Sequence, residues 1–327
     1  MNTSEQLFLL LAEELNFTRA AERAFISQQG LSDHIRRLEK HYGTALLTRR
    51  PRVALTPAGA AVQKKLLAEL YLEKDLQGRL KEIQSGAVGS ICFGINSTRA
   101  QTVIPSIFKD YHARYPNVQV ELVLDETNNM LRLLEQGRLD CCLGVNPILT
   151  SPQCAQRVGD EKLYLIAAAS YLRQYLDFDP DRSTGRHLEL CDFSGLPVAG
   201  NNSGSTTHSY LNSYLEMKGV SVKKFFASSD YNVLTQLCRT GDIAAFLPQF
   251  FLPGALSGNA VLPQERQLYA LPLNEMGAPL HVGLIYNDTA DPPQFIRGFR
   301  ACVQEHLQQQ YAKLARLEQE QRAYILP

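Results

Sequence analysis

Residues 16–59 decide the fold of the start of this chain, and they read NFTRAAERAFISQQGLSDHIRRLEKHYGTALLTRRPRVALTPAG. Within this stretch Leu31, Ile35 and Leu38 recur at helical spacing, which predicts a helix with one face in a core. Ser27, directly before that helix, is a typical N-cap residue. Closely spaced alanines upstream suit tight helix packing. The stretch therefore predicts a helix-turn-helix with its turn at Ile26 and Ser27.

Two earlier helix starts are predicted from capping patterns. Thr3 and Gln6 have the spacing of a capping box for a first helix, whose pattern breaks at Asn16 and Phe17. Thr18 is then the predicted N-cap of the second helix.

The exposed side of the helix after Ser27 begins with amides and hydroxyls and ends with an arginine: Gln28, Gln29, Ser32, Asp33 and Arg36. Such a face can place hydrogen-bonding groups on base edges in a DNA major groove and a cation on phosphates. An ordinary solvated surface is the alternative interpretation of the same pattern.

A short β-wing is predicted after Gly43, with a basic tip that contains Arg49, Arg50 and Arg52. Such a tip suits phosphates or a minor groove. Pro57 then begins a predicted helix that runs to about residue 83, roughly 40 Å at the standard rise. A helix of this length cannot bury its apolar stripe alone, so it is expected to pair with a second copy of the chain.

The composition fits a soluble globular protein with a locally basic start. The 327 residues are 45% hydrophobic and 20% charged, with a formal net charge of zero, and this length favours more than one domain. Between positions 19 and 52, however, eight Lys and Arg stand against three acids, which concentrates positive charge in the helix-turn-helix. No apolar stretch approaches the ~20 residues of a membrane helix, and no export signal is found. The chain is therefore expected in the cytoplasm and outside the membrane.

Seven cysteines at irregular spacing predict reduced thiols and not a disulfide framework. The adjacent Cys141 and Cys142 fit either a redox sensor or inert thiols buried in a strand. We favour the buried thiols because both residues fall in a predicted strand.

The stretch quoted above resembles the DNA-binding domain of the LysR family in the following residues: Asn16 to Arg23, Ser27, Gln28, Leu31, Ser32, Ile35, Arg37 to Glu39, Gly43, Leu46, Leu47, Arg49 and Leu55 to Gly59. The resemblance implies a winged helix-turn-helix followed by a linker helix. It also implies base contacts for Gln28, Ser32 and Asp33, and contacts of Arg37 or Arg52 with the DNA backbone or minor groove.

Pattern and resemblance together predict this DNA-contacting set: Thr18, Arg19, Ser27, Gln28, Gln29, Ser32, Asp33, Arg36, Arg37, Arg49, Arg50 and Arg52. Gly30 and Asp33 depart from the family pattern, so site preference is expected to differ. Asp33 either accepts from a cytosine amino group or repels phosphate and sets orientation, and both interpretations stay open. His34 faces the packed side, which favours a structural role.

From Gly89 onward strands and helices alternate, which predicts an α/β fold with largely parallel sheets. Residues 89–145 form one predicted βαβαβ unit, and 193–273 offer a second. A strand at 280–286 and a helix after Pro293 would return to the first lobe. The chain would then cross twice and leave a cleft between two lobes. The resemblance implies Rossmann-like lobes similar to a type 2 periplasmic binding protein, with an inducer in the cleft.

Polar loops after the strands of the two lobes form the predicted effector site: Asn96, Ser97, Thr98, Thr127, Asn128, Asn201, Asn202, Ser203, Ser205 and Thr206. At helix N-termini such groups hold anions, so the sequence favours a small carboxylate. For any one residue an ordinary helix cap is the alternative. Val145 stands where some aromatic-acid sensors of the family place an arginine, which argues against that ligand class.

The predicted fold is α/β overall, in five segments. A winged helix-turn-helix spans 1–58, a dimerisation helix 59–88, a first lobe 89–165 and 274–305, a second lobe 166–273, and a helical extension 306–327. The extension is expected to pack on its own chain.

An enzyme is not expected, because the sequence has no phosphate loop, dinucleotide glycine motif, metal-spaced His and Cys cluster or nucleophile elbow. His187 and Cys191 are a weak pair at helical spacing, and no cofactor is expected. Two functions remain: a transcription regulator with a small-molecule effector, or an interaction module whose helix-turn-helix serves only dimerisation. The basic wing favours the regulator. Its expected partners are double-stranded operator DNA, the effector, further copies in a homodimer or homotetramer, and RNA polymerase.

Overall fold

The computed structural model describes residues 1–48, 52–85, 88–180, 188–273, 279–288, 292–320 and 324–326. Contacts divide the chain into a first unit that contains residues 1–86 and a second unit that contains 87–135 and 139–327. Arg49, Arg50 and His187 lie outside the described residues. Within the described part, no helix combines the length and the apolar character needed to span a membrane.

The first unit is a winged helix-turn-helix with a long following helix, as the sequence predicts. Its elements are α1 (Thr3–Glu14), α2 (Phe17–Arg23), α3 (Gln28–Tyr42), β1 (Leu47–Thr48), β2 (Ala54–Leu55) and α4 (Pro57–Ser85). The two short strands are antiparallel, with Leu47 opposite Leu55. The core of the unit holds Leu31, Ile35 and Leu38, so the face of α3 that periodicity predicted as buried is buried.

One predicted helix cap is confirmed. Ser27 is the N-cap of α3, and its Oγ accepts from the Gly30 N–H at 3.0 Å. The prediction for α2 was wrong: Asn16 is the N-cap, and its Oδ1 accepts from the N–H groups of Thr18 and Arg19 at 2.9 and 3.1 Å. The asparagine carbonyl reaches two unpaired donors of the helix from an extended backbone, so Thr18 lies in the first turn of the helix and does not cap it.

The cap of α1 also lies one residue earlier than predicted. Asn2 and Glu5 form the capping box, and not Thr3 and Gln6. Both pairs have the required spacing. Asparagine is at least as good an N-cap as threonine, and the choice between them depends on where the first turn begins.

Gly59 sits in the first turn of α4 where no side chain fits. A Cβ at this position would lie 2.0 Å from the Leu46 carbonyl oxygen. We expect Gly59→Ala to destabilise the first unit by about 1–3 kcal/mol, because the hairpin and α4 must separate. Chemical denaturation followed by circular dichroism measures this. Gly254→Ala, a helical glycine with open space around it, is the control, and equal effects of the two changes would contradict the steric argument.

The second unit contains two five-stranded sheets. Its strands are β3 (Gly89–Ile95), β4 (Val118–Leu124), β5 (Cys141–Val145), β6 (Gln153–Glu161), β7 (Leu163–Ala168), β8 (Pro197–Gly200), β9 (Lys223–Ala227), β10 (Ala244–Pro248), β11 (Leu268–Pro272) and β12 (Leu280–Asn287). Its α-helices are α5 (Ser97–Arg114), α6 (Thr127–Glu135), α7 (Ala169–Leu176), α8 (Thr206–Met217), α9 (Tyr231–Cys238), α10 (Leu252–Ser257) and α11 (Gln294–Glu320).

The sheets confirm the two-lobe fold with its double crossing. The first sheet has the strand order β4-β3-β5-β12-β6 and the second β11-β7-β10-β8-β9. In each sheet four strands run in one direction and one strand, β12 in the first and β7 in the second, runs opposite, so the sheets are more mixed than predicted. The chain first crosses at Lys162, because β7 begins at Leu163 within the segment that the sequence placed in the first lobe. The chain returns to the sheet of the first lobe with β12.

The predicted C-terminal extension is part of one continuous helix, α11, and packs on its own chain as expected. Leu307 and Leu314 are buried, and the Tyr311 ring lies against Gly159 of β6. Beyond the helix, the Leu326 N–H donates to the Ala270 carbonyl at 2.8 Å, at the β11 edge of the second sheet. The C-terminal segment therefore contacts both lobes.

Candidate nucleic-acid interface and ligand pocket

The polar face of α3 is accessible over its whole length. Gln28, Gln29, Arg36 and Arg37 are exposed, and Ser32 and Asp33 are half-buried. Because the buried face is apolar and anchored in the core, the helix can present these groups to a partner without unfolding. Such a rigid polar helix is the form in which major-groove contacts are made.

Asp33 is paired within its own helix. The Arg36 Nη1 donates to Asp33 Oδ1 at 3.1 Å, and the two side chains are 66% and 46% exposed. An exposed pair of this kind contributes little free energy, so both groups can exchange it for contacts with DNA. The two interpretations of Asp33 stay open. His34 lies 2.9 Å from the Ser4 hydroxyl of α1, which agrees with a structural role.

The remaining predicted DNA contacts fall into two groups. Thr18 and Arg52 are exposed, whereas Arg19 already donates to the Glu14 carbonyl at 2.9 Å and forms an ion pair with its carboxylate at 3.4 Å. Ser27 is exposed, but its hydroxyl caps α3. Arg19 and Ser27 therefore have structural tasks besides any contact with DNA.

The loops predicted to bind an effector do converge between the two sheets. They enclose a cavity of about 20 Å³, which holds roughly one water molecule. The cavity is lined by Asn96, Arg99, Asp125, Glu126, Thr127, Met130, Leu143, Val145, Thr206, Thr207, Tyr231, Pro248 and Phe251. The lobes therefore meet in a closed arrangement around a small space with both polar and apolar walls.

Several predicted effector residues hold the lobes together directly. The Thr98 hydroxyl donates to Asp230 at 3.1 Å and the Thr206 hydroxyl to the Val145 carbonyl at 2.7 Å. Further bonds across the cleft are Asn96 Nδ2 to the Ser229 carbonyl, Asn128 Nδ2 to the Gly204 carbonyl, and Ser97 Oγ to Asp230. A ligand larger than water enters only if some of these bonds open.

The other predicted effector residues lie at the cavity wall, in the interior or at the surface. The Thr127 hydroxyl accepts from the Val145 N–H at 3.0 Å at the cavity wall. Asn201 and Ser205 are buried, whereas Asn202 and Ser203 are exposed and do not line the cavity.

A buried ion pair beside the pocket was not predicted. The Arg99 Nη1 donates to Glu161 Oε1 at 2.7 Å and to the Tyr311 hydroxyl at 2.9 Å, and the Tyr311 hydroxyl also bonds to Glu161. The Arg99 side chain is 3% exposed and that of Glu161 0%. The guanidinium lies over the ring of Phe250 at 4.3 Å. Burial lowers the pKa of Arg99, but Glu161 and Tyr311 outweigh burial, and the pKa is raised above its usual value. The guanidinium therefore stays charged.

Sequence reasoning could have found part of the pocket but not this network. Asp125 and Glu126 directly follow β4, so the strand-end argument that selected Thr127 applies to them equally. Arg99, Glu161 and Tyr311 carry no such signal, because they lie in different elements and meet only through the packing of α5, β6 and α11.

Cys141 and Cys142 are both buried in β5, as the favoured interpretation predicts. Burial raises the pKa of both thiols, that of Cys142 to about 12. A thiol with so high a pKa has almost no reactive thiolate at neutral pH.

The sequence matches two family descriptions that together span most of the chain. Residues 5–60 match "Bacterial regulatory helix-turn-helix protein, lysR family", and residues 84–308 match "LysR substrate binding domain". The second match alone covers more than half of the chain. The chain therefore belongs to the LysR family of bacterial helix-turn-helix regulatory proteins.

Relatives agree with this assignment. The chain is 31% identical over 157 residues to the HTH-type transcriptional regulator EstR of Acinetobacter baylyi, which covers 48% of this chain and 52% of the relative. It thus spans about half the length of that curated relative. ArgP from Mycobacterium tuberculosis has a similar fold, with a TM-score of 0.64 at 14% identity over 94% of this chain and 97% of that chain. Full-length CbnR in complex with its target DNA has a TM-score of 0.58 at 17% identity, over 94% and 100%.

Proposed function

We propose that the protein is a sequence-specific DNA-binding transcription regulator and that a small-molecule effector between its two lobes modulates DNA binding or activation. The observation that carries the proposal is the rigid polar face of α3 within a winged helix-turn-helix. The fold likeness to CbnR, a LysR family regulator whose full-length chain has been seen with its target DNA, supports it.

In this function α3 enters the major groove. Gln28, Ser32 and Asp33 would contact bases, and Arg36 and Arg37 phosphates. Thr18, Arg19, Ser27 and Gln29 would contact the DNA around the helix, and Arg49, Arg50 and Arg52 the backbone or minor groove at the wing.

We also propose that the regulator acts as a homodimer or homotetramer. Leu70, Leu72 and Leu76 of α4 are 40%, 62% and 48% exposed, which is costly for a lone helix and suits pairing with a second α4. Paired recognition helices imply an operator with two-fold character. RNA polymerase is the further partner that transcription regulation requires.

The first test is binding of the purified protein to DNA upstream of its own and the neighbouring divergent gene, at two salt concentrations, with random DNA as competitor. We expect specific binding that weakens as salt rises, because phosphate neutralisation releases counterions. Binding no tighter than to random DNA, or binding that salt leaves unchanged, would favour the interaction module in which the helix-turn-helix serves only dimerisation.

Two substitutions separate base reading from phosphate contact. Gln28→Ala should lower affinity for the cognate site roughly 5- to 150-fold, the value of one good base contact, and leave binding to random DNA almost unchanged. Arg52→Ala should weaken binding to both DNAs and reduce the salt slope by about 1. Ser32→Ala is expected to behave like Gln28→Ala.

Gel-shift or anisotropy titrations on the two DNAs measure these changes. Lys109→Ala, an exposed cation of α5 in the second unit, serves as the control for a general loss of positive charge. Equal losses of Gln28→Ala on cognate and random DNA would contradict the base-reading role.

A further inference from the structure

The charges that line the pocket are unbalanced. Among the described residues of its wall, the charged side chains are Arg99, Asp125 and Glu126. Arg99 is matched by Glu161, which is fully buried. The described residues contain no Lys or Arg ion-paired with Asp125 or Glu126. The wall therefore carries an excess of negative charge, and its one cation is already engaged.

Two helix N-termini at the cleft are also occupied. Asn96 Oδ1 accepts from the Thr98 and Arg99 N–H groups at the start of α5. Asp230 Oδ1 accepts from the Asn232 and Val233 N–H groups at the start of α9. An anion entering the cleft would find these donors capped, one pair of them by a carboxylate.

Unpartnered polar atoms lie beside the same space. Glu126 Oε1 is buried, and Asn201 is 2% exposed; within the described part of the chain the acceptor atoms Glu126 Oε1 and Asn201 Oδ1 have no hydrogen-bond partner. Both side chains act on Tyr231 of the cavity wall, Glu126 through its charge and Asn201 through a hydrogen bond from its amide. Burial raises the pKa of Tyr231, the Glu126 charge raises it further, and Thr207 and Asn201 lower it. A buried carboxylate oxygen without a donor is costly. The corner of the cavity formed by Glu126, Asn201 and Tyr231 is therefore suited to a ligand that donates hydrogen bonds.

We propose that the cleft binds a small molecule with a protonated amino group, whose N–H donors reach Glu126 Oε1 and Asn201 Oδ1. An ammonium offers three donors and no acceptor, which is the complement of this corner. The inference deepens the effector role proposed above and rests on it. It replaces the carboxylate that the sequence favoured, because the Thr98 and Thr206 hydroxyls on which that expectation depended bond across the cleft.

The amino group can belong to a plain amine or to an amino acid. Ser205, the N-cap of α8, makes no side-chain cap bond, and Thr206 and Thr207 at that helix end line the cavity. A carboxylate on the same ligand would be accepted there. The two sources share the ammonium chemistry, and matched probes distinguish them.

The experiment is calorimetric titration and thermal denaturation of the full-length protein with probes that differ only in the head group. Propylamine, L-alanine, propionate and 1-propanol form one set, and pentylamine, L-norvaline, pentanoate and 1-pentanol a longer one. We expect the amine-bearing probes to bind and to raise the Tm by a few degrees near saturation, and the carboxylate and alcohol of equal length not to do so. A higher affinity of the amino acid than of the amine would identify amino acids as the source.

Glu126→Gln keeps the shape of the side chain and removes its charge. It should weaken amine binding roughly tenfold or more, whereas Glu121→Gln, an exposed acid of β4, should leave it unchanged. Asn201→Ala removes the second acceptor and tests the same corner should Glu126→Gln fail to fold. Preferential binding of the carboxylates, no binding of any amine-bearing probe, or equal affinities of Glu126→Gln and Glu121→Gln would overturn the inference. The operator titration is separate, so intact DNA binding with failed amine binding overturns only the ligand class.

Discussion

Glu161→Ala should lower the free energy of unfolding of the second unit by about 3–5 kcal/mol, the cost of leaving one buried charge without its partner. The Arg99 side chain is 3% exposed in the native structure, and among the described residues no carboxylate other than that of Glu161 lies at hydrogen-bond distance from it. Because Glu161 is the last residue of β6 and Tyr311 belongs to α11, the loss should also loosen the contact of α11 with the first lobe.

Urea denaturation followed by circular dichroism measures this effect, since the chain contains no tryptophan. Asp160→Ala is the matched control: the neighbouring acid also forms an ion pair, with Arg157, but its side chain is 39% exposed. An exposed pair contributes about 0–1 kcal/mol. If both alanine variants lose the same small amount, the buried network is not a stabilising feature of the fold.

Leu31→Ala should destabilise the first unit by about 2–5 kcal/mol, because Leu31 is 0% exposed and the cavity left in a small core cannot close fully. Leu31 lies on the face of α3 opposite the polar one. The variant should therefore lose binding to cognate and random DNA together, in proportion to the unfolded fraction, whereas Gln28→Ala loses only cognate preference.

Ile26→Ala is the control for loss of an apolar side chain near the same helix, because Ile26 is 38% exposed and should cost well under half as much. Thermal denaturation and DNA titration are made on the same samples. A Leu31→Ala protein with unchanged stability and lost DNA binding would mean that Leu31 contacts DNA and that the assignment of the two faces of α3 is reversed.

The elements that the sequence predicted well are those with a local signature. The buried face of α3 and the long α4 follow from apolar spacing within a few helical turns, and the parallel strands β3, β4 and β5 are separated by clear helices. β6 was missed because polar residues interrupt it. β7 was missed because a wholly buried apolar run can be read as strand or helix.

The polar loops at the cleft were predicted by one general rule, that ligands lie beyond the carboxyl ends of parallel strands. The rule located the cleft, but it did not decide which polar groups are free to bind a ligand. The Thr98 and Thr206 hydroxyls are used to join the lobes, whereas Glu126 and Asn201 keep unpartnered atoms within the described chain. Availability depends on how two separately folded sheets meet, and no local pattern encodes it.

The sequence by itself determined the winged helix-turn-helix, the polar face of α3 and the linker helix, since each of these depends on periodicity or capping within a short stretch. The alternation of strands and helices also indicated the two-lobe order of the second unit. Only the tertiary structure decided the Arg99, Glu161 and Tyr311 network and the charge of the pocket. Arg99 is 62 residues from Glu161 and 212 from Tyr311. Contacts over such separations arise from packing between elements. A charged side chain is tolerated in the interior because an oppositely charged residue from a distant part of the chain packs beside it.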